Sequence, residues 1–293
     1  MKWIDGKACA HAVRQQVKTQ AAQWREKGVI PGLAVILVGE DPASEVYVRM
    51  KGKACEEAGF YSVTRKLSAD ISELDLLSEI DQLNRDAKVH GILVQLPLPQ
   101  PLSADRIIPH IDPEKDVDCL HPINIGKLML GVEGFQPCTP RGVMELLRWS
   151  GVDPTGKHVV IVGRSNIVGK PLSVMLSQKK PGANATVTLC HSKTYDLPGI
   201  ISSGDIIVAC IGQPQFVKGE WIKEGAVVID VGVNRVADHS EKGYVLVGDV
   251  DSRSVAEKAS MLTPVPGGVG PMTIAMLLQN TLESAIRHNK LTM

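Results

Sequence analysis

Short apolar runs alternate along the whole chain with stretches in which apolar residues recur every three or four positions. The runs predict buried strands and the longer period predicts amphipathic helices, so the alternation predicts an α/β fold with largely parallel sheets. A helix is expected over 7–27, stopped at Gly28, followed by a buried strand over 33–38. Pro42 then opens a helix that ends at Ala58, with Gly59 as its stop. A strand over 61–67, an amphipathic helix over 72–86 and a strand over 90–96 come next, closed by Pro97-Leu98-Pro99-Gln100-Pro101. From 112 to 140 the pattern is irregular and polar, and Thr139 is expected to cap a helix reaching about Ser150. Beyond it, strands are expected near 158–162, 185–190, 205–210 and 226–231. A hairpin-like stretch around 244–250 and a long helix from 272 to about 288 complete the pattern.

A chain of 293 residues is long enough for two domains. The expected division is 1–140, joined by the last helix at about 270–293, against 141–269. The apolar share of 44% and charged share of 22% describe a globular protein, not a disordered one. Lys plus Arg equals Asp plus Glu, 32 of each, which argues against nucleic acid or an anionic membrane as partner. The six cysteines show no metal-ligand spacing and read as free thiols of a reducing compartment. The first residues lack a signal-like apolar segment, and no apolar stretch nears the roughly 20 residues of a membrane helix. A cytoplasmic protein without a metal site is expected.

The sharpest motif lies in the second half. His158-Val159-Val160-Ile161-Val162 leads into Gly163-Arg164-Ser165-Asn166-Ile167-Val168-Gly169-Lys170-Pro171. A buried strand, a glycine turn and a helix start open a dinucleotide-binding unit, whose free backbone N–H groups can hold a pyrophosphate. The spacing departs from Gly-x-Gly-x-x-Gly, and a structural βα turn is the competing reading. Enzymes that prefer NAD place an acid at the end of the next strand, on the ribose 2′-hydroxyl. Here no Asp or Glu occurs from Lys157 through Tyr195, while Arg164, Ser192 and Lys193 offer a cation and donors suited to a 2′-phosphate. NADP is therefore the expected cofactor.

The first half carries candidate acid–base chemistry. Tyr47 and Lys51 lie four apart, so they share one helical face. A lysine at low dielectric gives and takes protons near neutral pH, whereas a lysine whose stem lies over an aromatic with its head in water does not. Gln95 ends an otherwise apolar strand, the place where open α/β sheets meet ligands, or else it caps its own strand. Asp116 and Asp118 could bind a polar ring edge or could fix their loop. Thr263-Pro264-Val265-Pro266-Gly267-Gly268-Val269-Gly270-Pro271-Met272-Thr273 combines stiff and bare backbone ahead of a helix, which favours a ligand-binding loop over a linker.

Together, Tyr47-Val48-Arg49-Met50-Lys51, Val94-Gln95-Leu96-Pro97-Leu98-Pro99, Lys115-Asp116-Val117-Asp118, Pro137-Cys138-Thr139-Pro140, the 163–171 motif, Cys190-His191-Ser192-Lys193-Thr194 and the 263–273 run form an ordered set. With them the chain resembles the bifunctional methylenetetrahydrofolate dehydrogenase/methenyltetrahydrofolate cyclohydrolases over essentially its full length. The resemblance implies a homodimer of two α/β domains, a folate-binding catalytic one and a Rossmann-type NADP-binding one, with a folate cleft between them. It implies that Lys51 is the central catalytic residue, tuned by Gln95 and with Tyr47 beside the substrate. Val94, Leu96, Asp118, Pro264, Val265, Pro266, Gly267 and Gly268 would complete the folate contacts. Gly163, Arg164, Ser165, Ser192 and Val233 would contact NADP. The implied chemistry is oxidation of 5,10-methylenetetrahydrofolate, then hydrolysis of the methenyl product to 10-formyltetrahydrofolate, within one-carbon metabolism and purine biosynthesis.

One position departs from the resemblance: Cys119-Leu120 stands where these enzymes commonly have Gly and an aromatic residue. Either the loop does without a left-handed dihedral or its path differs. The alternatives are a dehydrogenase without cyclohydrolase activity, a shikimate- or amino-acid-type dehydrogenase, and an inactive nucleotide sensor. Tyr47, Lys51 and Gln95 together argue against the first, the Tyr-x-x-x-Lys and Val-Gln-Leu-Pro-Leu-Pro segments against the second, and the presence of Lys51 against the third.

Overall fold

The computed structural model describes residues 1–238 and 243–291, and the chain divides into two compact units. One comprises Met1–Ala10 and Thr139–Thr273, the other His11–Cys138 and Ile274–Met293. Residues 292–293, at the end of the expected 270–293 segment, lie outside the described residues, as does the segment 239–242 between the two strands of the hairpin.

In the first unit six parallel strands form one sheet, in the order Lys2–Trp3, Met261–Leu262, Val227–Asp230, Ile206–Ala209, His158–Val162, Thr186–Cys190. Its central strands are short β-branched runs, buried on both faces as a helix-covered parallel sheet requires. Val160, Val162, Ile207, Ala209 and Val228 anchor one core cluster on this sheet. The sequence division differs at the start of the chain. Lys2 pairs with Met261 and Trp3 with Leu262, and the Ile4 N–H donates to the Leu262 carbonyl at 2.9 Å, so residues 1–10 belong to this unit. A separate antiparallel pair joins Asn234–Ala237 to Tyr244–Val247, so of the hairpin expected around 244–250 only the second strand lies there and the first lies earlier in the chain.

The second unit is built on three parallel strands, with Gly32–Val38 between Tyr61–Leu67 and Gly91–Val94. All seven residues of the central strand are buried, as its unbroken apolar run predicts. Helix Pro42–Ala58 starts where the Asp41 carboxylate accepts the Ser44 N–H at 2.7 Å, and it stops at Gly59 in the left-handed region. Helix Glu73–Arg85 opens on Ser72, which accepts the Asp75 N–H.

Two expectations are corrected. The stretch read as irregular contains helix Pro122–Leu130, opened by the His121 imidazole accepting the Ile123 N–H at 3.1 Å. Thr139 does not cap its helix, which begins one residue earlier as Cys138–Trp149; its hydroxyl instead pairs with that of Thr273 at 3.1 Å.

Candidate active site

Tyr47 and Lys51 sit one turn apart on helix Pro42–Ala58, and their exposures separate the two readings of the pair. Tyr47 is 40% exposed while Lys51 is only 8% exposed, so the ammonium is not held out in water. Lys51 Nζ donates to Gln95 Oε1 at 2.9 Å, and Gln95 Nε2 donates to the Leu96 carbonyl at 2.8 Å. The second bond fixes which end of the amide faces the lysine. Gln95 follows directly on strand Gly91–Val94, its N–H bonded to the Ile36 carbonyl, at the carboxyl end of the sheet. Burial lowers the Lys51 pKa, partly offset by the charge of the Asp118 carboxylate. A buried amine with one neutral acceptor and a carboxylate within electrostatic reach is suited to exchange protons with a substrate.

The two acids of Lys115-Asp116-Val117-Asp118 have different roles. Asp116 is buried and accepts the N–H groups of Leu120 (3.1 Å) and His121 (2.8 Å) and the Asn124 amide (2.8 Å), so it fixes the loop. Burial raises its carboxyl to about 6 against the pull of those three donors. Asp118 stays partly exposed and is the one coupled to Lys51. Cys119 keeps the left-handed backbone with φ 57°, and its Sγ donates to the Phe135 carbonyl at 3.2 Å. The loop therefore holds the dihedral a glycine would take, without one. Its far side is secured by Asn280, fully buried in helix Val269–Leu291, whose amide donates to the carbonyls of Val117 (2.7 Å) and Gln136 (2.9 Å). Sequence reasoning passed over Asn280, although the amide pair Gln279-Asn280 within the otherwise largely apolar Ile274-Ala275-Met276-Leu277-Leu278-Gln279-Asn280-Thr281-Leu282 is a visible signal.

In the other unit, Gly163 and Gly169 are required by contact. A Cβ on Gly163, at φ 138°, would stand 2.2 Å from the Cys210 carbonyl oxygen; one on Gly169 would stand 1.9 Å from that of Gly163. The turn thus packs against the start of helix Gly169–Ser177 with no room for a side chain, leaving bare backbone at a helix N-terminus where a pyrophosphate can approach. Arg164 and Ser165 are exposed beside it, and Ser165 Oγ accepts the Val168 N–H at 3.1 Å. Ser192 and Lys193 are exposed just past strand Thr186–Cys190, the neighbour of His158–Val162. Val233 is exposed in the segment after Val227–Asp230. These groups share the carboxyl edge of one sheet. A dinucleotide with a 2′-phosphate fits this setting: a cradle that any Cβ would fill, flanked by a cation and hydroxyls. In the 263–268 segment Gly267 and Gly268 are buried, Pro264 and Val265 are half-buried and Pro266 is exposed. Among the described residues, no cluster of three or more His, Cys, Asp or Glu side chains could hold a metal ion.

Two sequence models cover most of the chain. One, described as the tetrahydrofolate dehydrogenase/cyclohydrolase catalytic domain, matches residues 4–118; its companion, the NAD(P)-binding domain, matches 137–289. The chain belongs to the tetrahydrofolate dehydrogenase/cyclohydrolase family. Within that family it is 58% identical over 282 residues to bifunctional protein FolD 2 of Geobacter metallireducens, covering 96% of both chains. The crystal structure of the bifunctional enzyme FolD from Campylobacter jejuni superposes with a TM-score of 0.93 at 48% identity, over 98% of this chain and 99% of that one. The FolD structure of Trypanosoma brucei, complexed with NADP cofactor and inhibitor, matches at TM-score 0.92 and 43% identity, over 98% and 97% of the two chains.

Proposed function

We propose that this protein oxidises 5,10-methylenetetrahydrofolate with NADP and then hydrolyses the 5,10-methenyl product to 10-formyltetrahydrofolate. Membership of the family and the double activity in its relatives' names support both steps over a dehydrogenase alone. The observation that carries the catalytic reading is the buried Lys51 amino group on the Gln95 carbonyl oxygen.

NADP, when bound, supplies the hydride acceptor. The chain's part in that step is to hold two carbons in register, since orientation accounts for much of the acceleration of such a transfer. Gly163, Arg164, Ser165, Ser192 and Val233 hold the nucleotide, with Arg164 and Ser192 on its 2′-phosphate. Tyr47, Lys51, Val94, Gln95, Leu96 and Asp118 bind the folate, as do Pro264, Val265, Pro266, Gly267 and Gly268.

In the hydrolytic step water adds to the methenyl carbon and a carbon–nitrogen bond opens. Lys51 takes the proton from the water and returns one to the departing nitrogen, a task that suits an amine whose pKa burial has lowered. Gln95 orients the amine and Asp118 holds the pterin edge. Lys51, Gln95 and Asp118 lie in the unit of residues 11–138 with the last helix, and the proposed nucleotide contacts lie in the unit of residues 139–273.

The protein acts as a cytoplasmic homodimer in the supply of one-carbon units for purine biosynthesis. Free thiols at all six cysteines support the reducing compartment, and the dimer follows from the family resemblance. Supplying methylenetetrahydrofolate and NADP tests the double activity. NADPH and 10-formyltetrahydrofolate should both form faster than in buffer; NADPH without accelerated ring opening would leave a dehydrogenase alone.

A further inference from the structure

The carboxyl edge of the six-stranded sheet holds a buried pair of carboxyl groups that no motif singled out. Asp249 is fully buried and Asp230, the last residue of Val227–Asp230, is 3% exposed. Asp249 Oδ2 accepts the N–H groups of Ile211 (2.7 Å) and Gly212 (2.8 Å), in the loop that follows strand Ile206–Ala209. Its Oδ1 accepts the Asn234 amide at 2.9 Å, from the segment that follows the neighbouring strand. Asp230 Oδ1 accepts the N–H groups of Gly232 (3.0 Å) and Asp249 (2.9 Å), and its Oδ2 that of Val250 (3.0 Å). The approach is close: a Cβ on Gly232 would stand 2.2 Å from the Asp249 carboxyl.

One side chain therefore ties the loops that end two adjacent strands. The first loop begins at Cys210, whose carbonyl is the contact that excludes a side chain at Gly163. The second contains Val233, exposed between Gly232, held by Asp230, and Asn234, held by Asp249.

We infer that Asp249 is a positioning residue for the dinucleotide, setting the 210–212 and 231–234 loops in the arrangement that the cofactor meets. The inference rests on the nucleotide reading above. An amide replaces the carboxylate only at a cost: its NH2 faces either the Ile211 and Gly212 N–H groups or the Asn234 amide, which must then turn over and give up the Val247 carbonyl. Neither loop is among the folate contacts assigned above, so the two activities separate positioning from general damage.

The test titrates NADPH fluorescence in the parent and in Asp249→Asn, and measures cyclohydrolase activity on methenyltetrahydrofolate without cofactor. Binding should weaken by about tenfold or more while cofactor-free hydrolysis stays within about twofold of the parent. Binding equal to the parent's, or hydrolysis falling in step with binding, overturns the inference. Should Asp249→Asn fail to fold, Asn234→Ala removes one of the three donors. It should weaken NADPH by about threefold with hydrolysis unchanged, and parent-like binding would again overturn the inference. A parent that does not bind NADPH would sink the nucleotide reading itself, and this inference with it.

Discussion

Lys51 Nζ donates to Gln95 Oε1 across 44 residues of sequence, at 2.9 Å, with the lysine 8% exposed. A neutral acceptor in that place holds the amine without fixing its charge. A carboxylate would fix it. Gln95→Glu should therefore raise the apparent pKa of the hydrolytic step and cut cyclohydrolase at neutral pH by about ten- to a hundredfold, with recovery as pH rises. The pH–rate profile is the check, and an unshifted profile would refute the tuning role.

Arg164 and Ser192 are exposed at adjacent strand ends, and no acid lies between Lys157 and Tyr195. Changing both to Ala should weaken NADP by about tenfold or more, as expected for lost charge-assisted contacts to a phosphate, with NAD nearly unaffected. Dissociation constants for the two cofactors decide it. Equal losses would remove the 2′-phosphate assignment.

Cys119 holds φ 57° with a side chain that disfavours it. Cys119→Gly and Cys119→Ala both delete the Sγ contact to Phe135, but only glycine relieves the backbone. The glycine variant should be about 1 kcal/mol more stable than the alanine variant in denaturant unfolding. Equal stabilities would mean the dihedral carries no penalty here.

The Nδ1 of His90 accepts the Gly32 N–H at 3.1 Å, so the ring is held neutral. Burial, then the nearby His288 and Lys115, lowers its pKa from 6.5 to about 4. Between those values the unfolded chain binds the proton that the folded one refuses, so this histidine makes stability rise with pH across the window. Asp116, raised to about 6, works in the opposite direction, so the informative quantity is the difference from a variant. His90→Asn keeps an acceptor for Gly32 and should reduce the loss of stability on acidification by on the order of 1 kcal/mol, allowing for screening of a partly exposed ring. Urea unfolding at several pH values measures it; parallel curves would contradict it.

Local rules carried most of the fold into view. Gly32–Val38 is an unbroken apolar run, Pro42 and Gly59 bound their helix, and Gly163 and Gly169 frame a turn whose close contacts the glycines announce. The misses are short or non-local. Lys2–Trp3 is two residues long and has no period to read, and helix Pro122–Leu130 is short and interrupted by Gly126. Lys51 was visible as a candidate, but its hydrogen-bond partner is the distant Gln95 and not Tyr47 beside it in the helix. Asp249 has no local signature, because its donors come from Ile211, Gly212 and Asn234.

The most direct test of the catalytic assignment is Lys51→Met beside the parent, each given methylenetetrahydrofolate and NADP, with NADPH, methenyl- and 10-formyltetrahydrofolate followed separately. The parent should form NADPH and 10-formyltetrahydrofolate, and the variant should lose cyclohydrolase activity by about a hundredfold or more. A variant that still opens methenyltetrahydrofolate at the parent's rate would show that the proton moves through some other group.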